Sequence, residues 1–384
     1  MIATQTKALL LDAYRDLNAR KMFWVVLILN VLVIAGFGAL GIRNGRLSVL
    51  TWELPLDIPL PEFVYKWIFS SVIVGKWLTW AATILALIST ASIFPDFMAG
   101  GTIDLYLSKP ISRLRLFFMK FLTGLLFVAL QVTVFTVGGL IVLRTRGGIW
   151  EPGLLLAIPI IVLFYSYLFS ICVLLGVLTR STLAALFLTI VAWFGIFGLN
   201  QTDRFLIRMD DIYAQRTEDA QQLITRLDLQ IGDIQSRLKP PTTAPPTPPA
   251  ATNAATPSPA PPSVISADTK KLGRLTRERG RAASGLHQQP PSWARSAQPV
   301  IFALNTLVPK TQETVSLLDR VLFTDLVLNT ALNTAPDDGP MHGWRGQIQG
   351  MLYGRSIGWI LGSSLAFEAV VLSLASWLFC RKDF

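Results

Sequence analysis

From Met22 to Ile42 the chain runs through 21 residues with a single polar side chain, Asn30. A helix of that length rises about 30 Å, the thickness of a bilayer's hydrocarbon core, and satisfies its own backbone N–H and C=O groups without water. A water-soluble helix would carry a polar face at helical spacing, and this segment has none. Five further segments, about 67–94, 116–143, 153–178, 182–200 and 357–380, are similarly apolar and long enough to span. Composition agrees, with 52% hydrophobic and 15% charged residues where soluble domains carry about 25% charged. The predicted class is an all-α polytopic membrane protein: six transmembrane helices with a large, partly disordered extracytoplasmic insert before the last. Outer-membrane barrels are excluded because their strands alternate over about ten residues, whereas these runs are continuous. Collagen, coiled-coil and disulfide scaffolds are excluded as well.

Charge sets the expected topology. Lys7, Arg15, Arg20, Lys21, Lys109, Arg113, Arg115, Arg180, Arg381 and Lys382 flank the runs on one side, and Arg43, Arg46, Lys66, Arg144 and Arg146 on the other, ten against five. The positive-inside rule then places both termini, loop 95–115 and the turn at Arg180 in the cytoplasm of a cell (inner or plasma) membrane. The net charge of +10 follows largely from this flanking pattern, so nucleic acid is not an expected partner and the lipid bilayer is. No cleavable signal is evident before Met22, and the first span is expected to remain in the membrane. Cys172 and Cys380 both fall in apolar runs and make no metal site of their own.

The expected organisation is an amphipathic cytoplasmic N-terminal helix over 1–21, spans one to five over 22–200, an extracytoplasmic segment over 201–356, and the sixth span with its cytoplasmic tail over 357–384. Within the outer segment, Arg204 to Lys239 carries apolar residues at helical spacing (Leu206, Ile207, Met209, Ile212, Leu223, Ile224, Leu227, Ile231, Ile234, Leu238), which reads as one or two amphipathic helices. Pro240 to Ser263 holds ten of the 23 prolines and reads as an extended linker. Lys270 to His287 is basic and weakly helical, and Pro299 to Leu328 has the apolar pattern to fold back on the membrane surface or the spans.

Several motif matches lack the setting their chemistry needs. Gly36 to Gly41 fits GxGxxG but ends a span instead of joining a strand to a helix, so it reads as helix packing. Gly354-Arg355-Ser356-Ile357-Gly358 fits GxSxG, yet no strand precedes it and the only histidines, His287 and His342, lie in the outer segment. No GxxxxGK[ST] loop occurs, so this chain is expected to bind no nucleotide itself; no metal site and no catalytic residues are expected in it either. The row Gly346, Gly350, Gly354, Gly358 and Gly362 reads as a helix contact, facing either another span of the chain or a second copy. Two charges stand inside spans, Lys76 about 13 Å and Glu368 about 16 Å from the outer ends. They are open to two readings, a structural ion pair or a polar substrate path. Lys120 is near enough to the cytoplasmic face to snorkel.

The most informative segment joins spans two and three: Phe94-Pro95-Asp96-Phe97-Met98-Ala99-Gly100-Gly101-Thr102-Ile103-Asp104-Leu105-Tyr106-Leu107-Ser108-Lys109-Pro110-Ile111-Ser112-Arg113. Apolar Ile103, Leu105, Tyr106 and Leu107 beside Asp104 make a short docking element, and Pro110 suits the first turn of the following helix. An acidic residue, then Gly-Thr, then an apolar stretch ending Leu-Ser-Lys-Pro-Ile-Ser-Arg before a span resembles the permease subunits of type 2 ABC transporters. The matching positions are Asp96, Gly101, Thr102, Leu107, Ser108, Pro110, Ile111, Ser112, Arg113 and Lys120. The family often has Glu where this chain has Asp96, and its outer loop is usually shorter than residues 201–298.

The resemblance implies a pair of permease chains, identical or not, working with separate ABC ATPase subunits that bind ATP and Mg. It implies that the loop bearing Asp96, Gly101, Thr102, Asp104, Lys109, Pro110 and Arg113 docks on the ATPase, and that the cargo is exported. Two other classes remain open: a scaffold whose outer helical arm recruits an extracytoplasmic partner, and an intramembrane hydrolase built on Ser356 or another serine.

Overall fold

A computed structural model describes residues 21–43, 46–49, 52–53, 69–98, 112–146, 148, 150–238, 262–286, 290–326 and 356–381. Expectations for the N-terminal helix before Lys21, for Gly101, Thr102, Asp104, Lys109 and Pro110, for residues 239–261, for Gly346, Gly350 and Gly354, and for the tail after Arg381 lie outside these.

The described chain is predominantly helical, and six helices are long and apolar enough to cross a membrane, as the apolar runs require. In order they are α1 (Lys21–Ala39); a π-helical stretch (Phe69–Ala82) running into α2 (Thr83–Thr90) and α3 (Ile93–Met98); α4 (Arg113–Arg146); a 3-10 turn (Pro152–Leu156) leading into α5 (Ala157–Thr179); α6 (Thr182–Leu238); and, after α7 (Pro262–Gly285), α8 (Ser292–Leu307) and α9 (Thr311–Leu326), the last span α10 (Ile357–Arg381). The departure from an all-α pattern among the described residues is a small antiparallel sheet of β1 (Leu40–Arg43), β2 (Arg46–Val49) and β3 (Trp52–Glu53). It shortens the first span, which the apolar run carries to Ile42. Arg43 pairs with Arg46 across a connection whose sequence is Asn44-Gly45, the pair most favoured in two-residue hairpins.

The chain divides into two compact units, one made of Met1–Asn200 with Ala303–Phe384 and the other of Gln201–Phe302. The insert before the last span is therefore not one body: α9 and the end of α8 belong with the spans, where α9 packs against α5 and α10.

In the span unit aromatic rings pack among the aliphatic side chains of the core. Phe117 is fully buried with Phe94 at 5.1 Å and Phe379 at 5.7 Å between ring centroids. Phe121 stacks on Phe169 at 5.3 Å, and Trp80 stacks on Trp193 at 4.9 Å. Glycines admit these rings: a side chain at Gly139 would strike Phe69, and one at Gly124 would strike Phe169. Lipid tails are as apolar as these side chains, so close packing and interhelical hydrogen bonds do the work that water does in a soluble core. The Trp77 indole donates to Asn30 Oδ1 at 3.1 Å, and Thr90 and Tyr165 share a hydroxyl bond at 2.5 Å.

The second unit is a helical hairpin. Residues 201–238 continue α6 as one 57-residue helix, where the sequence left open one or two helices. A thin apolar seam of Leu227, Ile234 and Leu275, flanked by Ile231, Leu238 and Leu272, joins it to α7. Arg279 reinforces the seam with Asp228, and Gln298 donates to Asp210 at 2.5 Å. α7 begins at Pro262, inside the stretch read as linker to Ser263.

Candidate functional site

The two ends of the loop expected to dock a partner are described, and both are fixed to the span unit. After the turn at Ala91 and Ser92, α3 buries Ile93, Phe94, Pro95 and Phe97 while Asp96 stays exposed. Phe97 lies 6.1 Å from Phe379, with the Lys120 ammonium 5.6 Å above its ring. That contact, and not only snorkelling, accounts for Lys120. At the other end Ser112 caps α4, its Oγ accepting from Arg115 N–H at 3.3 Å. The described helix runs from Arg113. Arg113 reaches the Cys380 carbonyl at 3.4 Å, a cation on the last turn of α10 where carbonyls lack helical partners. Asp96 and Arg113 therefore stand on a platform built from α3, α4 and α10.

The intramembrane charges do not form the pair that their depths permit. Lys76 is exposed, and Glu368 is buried with its Oε2 accepting from Ser166 Oγ at 3.0 Å. Matching depth gave no azimuth: α10 turns Glu368 toward α5, on the inward line of Ile360, Ser364 and Val371. The glycine row is similarly resolved where it is described. Gly358 and Gly362 face open space, since side chains added there would meet nothing, so among the described residues they are not the contact of two spans. Ser356 of the GxSxG match serves as the N-cap of α10, its Oγ accepting from Trp359 N–H at 3.4 Å. Of the GxGxxG match, Gly38 abuts Val142 of α4, and Arg146 bonds the carbonyls of Gly38 and Ala39 at 2.9 and 3.2 Å.

A second cluster escaped the sequence reading. The turn between α8 and α9 is plugged into the span unit by polar contacts. Lys310 is fully buried, its Nζ donating to the Asn305 carbonyl at 3.1 Å and lying 5.6 Å from the Trp359 ring. Its backbone N–H donates to Ser364 Oγ at 2.9 Å. Asn200, at the end of the fifth apolar run, donates to the Pro309 carbonyl at 3.3 Å and to Thr311 Oγ1 at 3.2 Å. The Tyr167 hydroxyl sits beside Thr314, Ser364 and Glu368. The signal available was faint: a lone lysine after proline in a segment whose apolar spacing had already been assigned to folding back. No group of His, Cys, Asp or Glu among the described residues is arranged to hold a metal.

Comparison with protein-family models, with curated proteins and with solved structures finds no match for this chain.

Proposed function

We propose that this chain is the membrane-spanning permease subunit of an ATP-driven transporter of the type 2 ABC class. In this reading two permease chains pair, ATP and Mg are bound and hydrolysed by a separate ATPase subunit, and loop 95–115 docks on that subunit from the cytoplasmic side. Both termini then lie in the cytoplasm of the cell membrane, residues 201–302 lie outside, and the direction is export. The observation that supports it best is the anchoring of the loop's two ends. Asp96 projects from a buried α3, and Arg113 is tied to the end of α10, so closure of an ATPase pair against Thr102, Asp104 and Lys109 would be carried by Phe94, Phe97, Phe117 and Phe379 into the second, third and sixth spans. Such closure would bias the bundle between inward- and outward-facing states.

The test is purification of the tagged chain from its native membrane in mild detergent. A stoichiometric partner with ATPase activity is expected, and Asp96→Asn with Asp104→Asn should release it or uncouple its hydrolysis while membrane insertion is retained. Absence of an ATPase overturns the reading. The self-contained hairpin supports a second reading, a non-transporting scaffold. That reading requires a partner whose binding depends on residues 204–238 and tolerates both aspartate replacements.

A further inference from the structure

The hairpin carries its charge unevenly. Residues 201–238 hold seven acidic and five basic side chains, interspersed. α7 holds six basic residues (Lys270, Lys271, Arg274, Arg277, Arg279, Arg281) against Asp268 and Glu278. Arg279 turns inward to Asp228. Lys270, Arg274, Arg277 and Arg281 recur at i, i+4, i+7 and i+11, which places them within about 60° of arc and along about 16 Å of helix. That line is on the side away from Leu275 and Arg279, and all four are exposed. Arg274 has a solvent-exposed contact with Glu278 at 3.1 Å, whereas Lys270, Arg277 and Arg281 make no ion pair among the described residues. Like charges at i, i+4 oppose helix formation, and a face serving only solubility would mix its signs as α6 does.

We propose that this stripe on α7 is a docking surface for an acidic helix of a partner protein. The charges are narrow and linear, which fits a row of carboxylates at matching helical spacing. A bilayer surface fits less well, because between the cations the outward positions are Thr269, Gly273, Thr276, Gly280 and Ser284, with no large apolar side chain to enter lipid. Single-stranded nucleic acid fits less well, because α7 has no aromatic residue on which a base could stack. The inference stands apart from the transporter reading and survives or fails independently of it.

The full-length protein in neutral nanodiscs is titrated with a stapled helical peptide bearing Glu at i, i+4, i+7 and i+11. Saturable binding is expected, weakened about tenfold by Arg277→Glu with Arg281→Glu and to a similar degree by about 0.5 M NaCl. Lys271→Gln, off the stripe, should change it by less than about twofold. Circular dichroism of the double variant should match the parent, since neither arginine touches the seam. No binding to the peptide, equal binding by the double variant, or capture by anionic vesicles or single-stranded DNA as tight as by the peptide would each overturn the proposal.

Discussion

The span unit and the hairpin are both helical, and they are held together in different ways. In the span unit, rings interlock at close glycine approaches, and Asn200, Lys310 and Glu368 are buried inside hydrogen-bonded clusters. In the hairpin the seam between α6 and α7 buries three aliphatic side chains, and the ion pair beside it, Arg279 with Asp228, is solvent-exposed. The contrast follows from solvent. Where lipid surrounds a helix, apolar burial adds little, so shape complementarity and dry hydrogen bonds decide which helices touch. Where water surrounds it, removing about 25 cal/mol of unfavourable hydration per Å² makes even a thin leucine seam effective.

Substitutions in the two units should act differently. Phe117→Ala should have the largest effect, destabilising the span unit by about 4 kcal/mol through a cavity between Phe94 and Phe379, read as a shift in SDS-induced unfolding in mixed micelles. Lys310→Ala should cost about 3 kcal/mol, since it empties a buried site and strands the Asn305 backbone carbonyl at the α8–α9 turn. The same variant should also expose a cysteine placed at Thr314 to thiol reagents, and unchanged labelling would show that the turn is not pinned by Lys310. Leu275→Ala should cost about 2 kcal/mol and act locally, speeding proteolysis within 201–302 while leaving SDS unfolding of the spans in place. If it moved both, the two units would not be separately stabilised. Ser356→Ala should cost about 1 kcal/mol or less as a lost N-cap, and a serine-directed probe should label parent and variant equally. Arg279→Gln should have the smallest effect, a slight loss of hairpin helicity that high salt abolishes, because the ion pair is solvent-exposed.

Much of this architecture was legible in the residues. Spans are legible because a bilayer sets a minimum apolar length that Met22–Ile42 and five other runs meet, and the arm at 204–238 is legible because its apolar residues repeat at helical spacing. The structure trimmed these readings at their edges. Leu40 to Ile42 leave the first span for β1, where they pair antiparallel with Leu47 to Val49 of β2. Of the candidate site, the sequence marked Asp96 and Arg113 as the ends of one element. It had no means of showing that Phe97, Phe117, Phe379 and the Cys380 carbonyl form the platform beneath them, because those residues come from three distant segments.

By itself the sequence determined which segments are apolar enough to span, that the last of them begins at Ile357, and that the stretch from Lys270 to His287 is basic. These are local properties, set by composition and helical period within a few turns. Only the tertiary structure decided that Glu368 meets Ser166 and not Lys76, that Gly358 and Gly362 face outward, and that Lys310 is buried against Asn305 and Trp359. Depth along a span can be counted from its residues, but the direction in which each helix turns is fixed by how the helices pack, and that packing depends on all of them at once.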